Sequence, residues 1–205
     1  MNITNRRDFL KTVVAGAAVL AVGRAASAAP NAKRPPNIVL ILADDMGPGE
    51  PSHAGGIIPT PTLDLLAKEG MRFTDAHTTS SVCTPTRYGI LTGRYNWRSR
   101  LKSSVLFSTT DRALMDPKRL NMPNFLQNAG YHTACIGKWH LGADWVKLPK
   151  NANADKSKRS SSWQVDYAKP FKNGPTDVGF DEAFFILSSL DMAPYVYLRN
   201  DRAVS

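Results

Sequence analysis

After Pro36 the apolar positions fall into two rhythms, and the alternation between them predicts the fold. Ile38-Val39-Leu40-Ile41-Leu42-Ala43 is apolar without a break, which predicts a strand covered on both faces and ended by Asp44-Asp45. Beyond a loop rich in Gly and Pro, Thr60-Pro61 reads as N-cap and first position of a helix. Leu63, Leu66 and Ala67 would line one face of it, and Gly70 stops it. Met71 to Ala76 reads as a short strand. A second helix opens at Thr84-Pro85, turns Ile90 and Leu91 inward and ends at Thr92-Gly93, which puts Cys83 at a helix N-terminus. Pro123 starts a third, packed by Phe125, Leu126 and Ala129 and stopped by Gly130. Tyr131 to Ile136 is then a strand that runs into Gly137-Lys138-Trp139-His140. Residues 144–177 are polar and cationic, with Ser160-Ser161-Ser162 in a row, and read as a surface insertion before a strand over Ala183 to Leu187.

Strands alternating with helices predict an α/β protein with a mostly parallel sheet flanked by helices. Ligands of such sheets gather beyond the carboxyl ends of the strands. Asp44 and Asp45 fall at one such end, Lys138 and His140 at another, and Cys83 lies in the loop leading into a helix. One site is expected to hold all five.

The first 28 residues follow a different logic. Arg6-Arg7 precede Asp8-Phe9-Leu10-Lys11 and an alanine-rich stretch from Thr12 to Val22, short for a bilayer span, which closes on Ala26-Ser27-Ala28. The pattern resembles a bacterial twin-arginine signal peptide with an AxA cleavage site. It implies the twin-arginine export machinery as a partner, a periplasmic or secreted location, and no stable membrane span after cleavage. The 205 residues carry a formal net charge of +9. Cleavage removes Arg6, Arg7, Lys11 and Arg24 against Asp8 and leaves a basic chain, with several cations in segment 147–172. Anionic small substrates fit this balance, and no nucleic-acid partner is expected. Cys83 and Cys135 are the two cysteines. In an oxidising compartment they would suggest one disulfide, but the residues after Cys83 argue against it.

Those residues, Cys83-Thr84-Pro85-Thr86-Arg87 followed by Thr92-Gly93, are far more specific than a lone cysteine, which is more often a buried structural thiol. Arg87 stands four residues after Cys83, on the same helical face. Asp44-Asp45 offers hard oxygen ligands suited to Ca²⁺ or Mg²⁺, although such a pair alone is as readily a solvated turn. Lys138 and His140, two apart, lie on one side of an extended chain.

The stretch Cys83 to Gly93 resembles the signature of the sulfatase family, CxPxR followed by Thr-Gly, and the agreement is complete. Leu42-Ala43-Asp44-Asp45-Met46-Gly47 and Gly137-Lys138-Trp139-His140-Leu141-Gly142 resemble two further blocks of that family. Asp166 to Pro175 and Ser189 to Tyr197 resemble its arylsulfatase A-like branch. The resemblance spans residues 36–205, the N-terminal part of a catalytic domain with an alkaline-phosphatase-like fold. It implies that Cys83 is oxidised by a formylglycine-generating maturation enzyme, and that the hydrated aldehyde attacks sulfur with one hydroxyl and expels sulfate by re-forming its carbonyl. It also implies that Asp44, Asp45 and the modified Cys83 hold a divalent cation, Ca²⁺ or Mg²⁺, and that Arg87 anchors the nucleophile. Lys138 and Ser189 would contact the sulfate, while His140 takes the hydroxyl proton. Gly49-Glu50 departs mildly from the commoner Gly-Asp. His53, His77 and His132 match no family position and are expected to be structural or solvated.

The implied activity is hydrolysis of a sulfate ester. Two other readings remain open: a phosphatase or phosphonate hydrolase of the same superfamily, and a non-catalytic remnant that binds sulfated glycans through segment 147–172. Family members run to more than twice this length and supply further cation ligands downstream.

Overall fold

The computed structural model describes residues 35–149, 165–193 and 195–204. The expected signal peptide (1–28) and the serine run Ser160-Ser161-Ser162 lie outside them. The chain divides into two compact units, Met1–Ala43 and Asp44–Ser205. In the first, the described residues 35–43 form no strand, and Val39 and Ile41 are about four-fifths exposed, at 81% and 82%. The strand expected over 38–43 is thus absent. A strand exists only as a partner in a ladder, and an apolar run sets the appetite for one without supplying it.

The second unit carries the rest. Three helices are α1 (Pro61–Glu69), α2 (Cys83–Thr92) and α3 (Met122–Asn128). Strands are β1 (Ala134–Lys138), β2 (Glu182–Ile186), β3 (Tyr197–Arg199) and β4 (Arg202–Ala203). The described strands form one mixed sheet in the order β1-β2-β3-β4, with β1 and β2 parallel and the other pairs antiparallel. The strand expected over 71–76 is irregular backbone. Among the described residues no helix is long and apolar enough to cross a membrane.

Local chemistry explains the helix ends. Pro61 and Pro123 sit in the first turns, where a missing N–H costs nothing. The Asn121 side chain accepts from the Asn124 N–H and caps α3. Gly93 closes α2 at φ 63°. What periodicity could not say is how far each face is covered. In α1, Leu63 and Leu66 are exposed, and so are Phe125 in α3 and Ala129 just past its end, while Pro123 is buried.

The core forms on one face of the sheet. Ala183, Phe185 and Leu198 alternate inward from β2 and β3 and meet Trp139, Leu141 and Val178. On the opposite face Phe184 and Tyr197 stack in parallel with centroids 5.7 Å apart, beside an exposed Ile136. Segment 144–177 is more than a surface insertion. Trp145 and Phe171 are buried with their rings 4.8 Å apart, and Asp144 and Lys172 form an antiparallel bridge. Gly142 is required where it stands: at φ 72° a Cβ would run into the Arg112 carbonyl.

Candidate active site

The site assembles beyond the carboxyl ends of β1 and β2. The parallel ladder continues past β1, since the Trp139 and His140 N–H groups donate to the carbonyls of Ile186 and Leu187 at 3.0 and 2.8 Å. Lys138 therefore leaves the sheet at the same end as Ser189. Helix α2 brings its first residue, Cys83, to this end. Its N-cap, Val82, has no side-chain acceptor for the N–H groups of the first turn, so their partial positive charge remains available.

Asp44 is the hub. Arg87 Nη2 donates to its Oδ1 at 3.1 Å, and Lys138 Nζ donates to its Oδ2 at 2.7 Å. Arg87 Nη1 also donates to the Lys138 carbonyl at 2.7 Å, tying α2 to the end of β1. Lys138 Nζ reaches the Ser189 hydroxyl at 3.0 Å. The Arg87 and Lys138 side chains are only 12% and 10% exposed, so these cations rely on fixed partners more than on water. Partial burial works to raise the Asp44 carboxyl, but hydrogen bonds from Lys138 and Arg87, with their charges, outweigh it and hold the group below its usual range.

Asp44, Asp45 and Cys83 each offer a ligand atom, and these atoms lie within 4.8 Å of one another, the group of this kind found among the described residues. Asp45 adopts φ 58°, a conformation aspartate tolerates better than most residues. Two carboxylates suit a hard cation, whereas a thiol does not, so the donor set fits Ca²⁺ or Mg²⁺ once the Cys83 position presents oxygen. Both cysteines are free thiols. Burial pushes the Cys135 thiol up to about 12, against the lowering effect of the Arg87 charge, which leaves it protonated and unreactive at neutral pH.

His140 lies deeper than the others. It is 1% exposed, sits at φ 54°, and makes no hydrogen bond to Asp44, Lys138 or Cys83. Its Nε2 lies 2.8 Å from the Leu106 carbonyl, which can only accept, so Nε2 carries the proton. Neutral His140 therefore keeps a lone pair on Nδ1, which is buried without a hydrogen-bond partner. Burial depresses its basicity, the Leu106 hydrogen bond opposes this, and the Lys138 and Arg87 charges depress it further.

Three residues with a positioning part were not singled out from the sequence. The buried Thr84 hydroxyl accepts from the Leu106 N–H at 3.2 Å, so Leu106 joins the first turn of α2 to His140 through its two backbone groups. No side-chain chemistry at Leu106 could have announced this. Asp191 accepts from the Ser189 hydroxyl and is held below the usual carboxylate range by that bond first, then by its own backbone N–H, with the Lys138 charge adding to the effect. Its spacing of two from Ser189 was the available signal. Elsewhere, Ser52, His53 and Asp64 come together, but Asp64 accepts from Ser52 at 2.6 Å and lies 3.2 Å from His53 Nδ1. With the carboxylate between them the histidine cannot activate the serine, and the trio anchors α1. His77 and His132 are exposed and pair with Asp75, and with Asp181 and Glu182.

Comparison with known proteins gives the arrangement a lineage. The family model described as Sulfatase matches residues 36–193. An N-acetylgalactosamine-6-O-sulfatase of Bacteroides thetaiotaomicron is 34% identical over 170 residues, covering 82% of this chain and 30% of that protein. Mouse steryl-sulfatase is 42% identical over 116 residues, which are 54% of this chain and 19% of that enzyme. A solved 6S-sulfatase structure, described in connection with glycosaminoglycan metabolism by Bacteroides thetaiotaomicron, superposes with a TM-score of 0.69 at 34% identity, covering 82% of this chain and 32% of that one. The chain thus spans about a third or less of the length of these relatives. The matched residues include Asp44, Cys83, Arg87, Lys138 and Ser189, which the fold draws together, and the chain belongs to the sulfatase family.

Proposed function

We propose that the protein hydrolyses sulfate esters, with the modified side chain of Cys83 as nucleophile. The observation that carries this reading is the hydrogen-bonded cluster of Asp44, Arg87, Lys138 and Ser189 at the mouth of α2, whose first residue is Cys83. Lys138 would neutralise charge on the sulfate oxygens, with Ser189 beside it as a hydroxyl contact. Arg87 holds Asp44 and the end of β1 against the nucleophile helix. His140, neutral with a free Nδ1 lone pair, is suited to receive a proton from the nucleophile's second hydroxyl. Asp44, Asp45 and the oxidised Cys83 would hold a divalent cation, which when bound supplies charge stabilisation to the ester and the diol.

The relatives are named for sugar, steroid and aryl sulfates; the sulfate ester is their common part, and it is the part these clustered groups are built to hold. Export by the twin-arginine route and a formylglycine-generating enzyme as partner complete the reading.

The test pairs chemistry with modification. Protein from a host with proven sulfatase maturation is digested, and the peptide from Phe73 to Arg87 is weighed. The same preparation is assayed with an aryl sulfate and the matching aryl phosphate, with Ca²⁺ added. Formylglycine at residue 83 and preference for the sulfate are expected. An unmodified thiol, or a Cys83–Cys135 disulfide, rejects the nucleophile. Preference for phosphate moves the protein to the phosphatase branch.

A further inference from the structure

The turn that follows α2 is built unlike the rest of the surface. Between Asp75 and Asp111 the sequence contains no Asp or Glu, yet Arg94-Tyr95-Asn96-Trp97-Arg98-Ser99-Arg100-Leu101-Lys102 carries four cations. Tyr95 and Trp97 are each 51% exposed. Their rings stack with centroids 5.6 Å apart and planes 12° from parallel, and the Arg98 guanidinium lies 5.1 Å from the centre of the Trp97 ring. Aromatic rings left half in water forgo on the order of 1–2 kcal/mol each of burial, so a fixed exposed pair invites an explanation.

The pair is fixed. Buried Asn96 donates from Nδ2 to the Leu101 carbonyl at 3.0 Å, Ser99 Oγ donates to the Asn96 carbonyl at 2.6 Å and accepts from the Leu101 N–H at 3.1 Å. Lys102 Nζ closes the turn on the Trp97 carbonyl at 2.9 Å. Arg98, Arg100 and Lys102 are exposed, and among the described residues none of them is ion-paired with a carboxylate. A fixed aromatic platform edged by alternating cations that pair with no carboxylate has the chemistry of a site for a polyanion with ring-shaped units: faces of the rings stack, and the cations meet the anionic groups.

We propose that this turn binds a second segment of a sulfated polysaccharide whose sulfate ester occupies the Cys83 site. The choice of a sulfated polymer rests on the reading given under Proposed function. The turn follows the opposite end of α2 from Cys83, a helix of ten residues on the order of 15 Å long, a distance that a chain of a few sugar units can match. Two linked contacts raise affinity through effective concentration without adding to either. Tyr95 and Trp97 stack against each other in near-parallel planes and leave no slot between them for an inserted base, so the platform offers outer faces and edges.

The protein is titrated with chondroitin sulfate oligosaccharides, with unsulfated hyaluronan oligosaccharides of equal length, and with a single-stranded DNA of matched charge, by calorimetry at near-physiological salt. The wild type should bind the chondroitin sulfate and not the hyaluronan. Tyr95→Ala with Trp97→Ala, which leaves the charge unchanged, should weaken binding at least about tenfold, roughly 1.4 kcal/mol. Tyr95→Phe with Trp97→Phe should restore most of it, which also separates loss of stacking from loss of fold. Arg98→Gln with Lys102→Gln should weaken binding and flatten its salt dependence. All variants should turn over a small aryl sulfate like the wild type. Binding unchanged within about twofold in the alanine pair, or DNA bound as tightly as chondroitin sulfate, overturns the proposal. Polymer binding by a protein whose residue 83 stays an unmodified thiol in a host with proven sulfatase maturation would instead sink the hydrolase reading and leave the surface standing.

Discussion

At the scale of single residues, the site is held by charges that neutralise one another in a half-buried place, and this makes each replacement readable. Arg87→Lys keeps the charge but loses the fork that spans Asp44 and the Lys138 carbonyl. It should destabilise the protein by about 1.5–3 kcal/mol in urea unfolding, the range for hydrogen bonds to charged groups; an unchanged midpoint would mean that a single ammonium satisfies both. His140 gives a pH prediction with a definite sign. Burial places its folded pKa below its ordinary value of 6.5, so the unfolded chain binds the proton more readily. The stability that neutral His140 contributes is fully present above about pH 6.5 and is lost as pH falls from there toward the folded value. Unfolding midpoints measured between neutral and mildly acid pH should fall, and the part of that slope due to this residue should vanish in His140→Gln. The fall in stability should begin at a higher pH than any loss of turnover, since the first starts as the unfolded histidine gains its proton and the second waits for protonation of Nδ1 in the folded protein.

Among the elements, α2 matters most, because it carries Cys83, the proposed nucleophile position, at one end and leads into the aromatic turn at the other. Its seat is tight at Gly89, where a Cβ would collide with the Thr79 side chain, whose hydroxyl donates to the Pro85 carbonyl at 3.1 Å. Gly89→Ala improves helix propensity, yet overpacking should dominate and cost about 1–3 kcal/mol. Thermal unfolding decides it, and a rise in stability would show that Thr79 moves aside freely. The strands illustrate the limits of pattern reading. Glu182–Ile186 was legible from Ala183 to Leu187 because its apolar residues alternate against a core that exists. Ile38 to Ala43 had the stronger apolar signal and forms no strand here, because pairing depends on a neighbouring edge that a residue cannot carry in its own side chain.

For the molecule as a whole, charge and incompleteness of ligation set the expectations. Asp44, Asp45 and the Cys83 position would supply only part of the six or more oxygen ligands a Ca²⁺ ion takes. A matured protein of these 205 residues alone should therefore hold Ca²⁺ weakly and show little turnover beside a relative of full length assayed with the same aryl sulfate; comparable rates would refute this. The family was determined by the sequence itself, because short motifs fix residue types at set spacings. The sequence also led one to expect Asp44, Asp45, Cys83, Lys138 and His140 in one site; Asp44, Asp45, Cys83 and Lys138 do gather although no strand precedes Asp44, while His140 lies deeper on the Leu106 carbonyl. Only the tertiary structure decided that Asp44 bridges two cations, that Leu106 joins Thr84 to His140 through its backbone, and that Tyr95 and Trp97 stay in water. Each of these depends on which distant backbone or side chain lies within about 3 Å, and that is settled by packing in three dimensions and not by any local pattern.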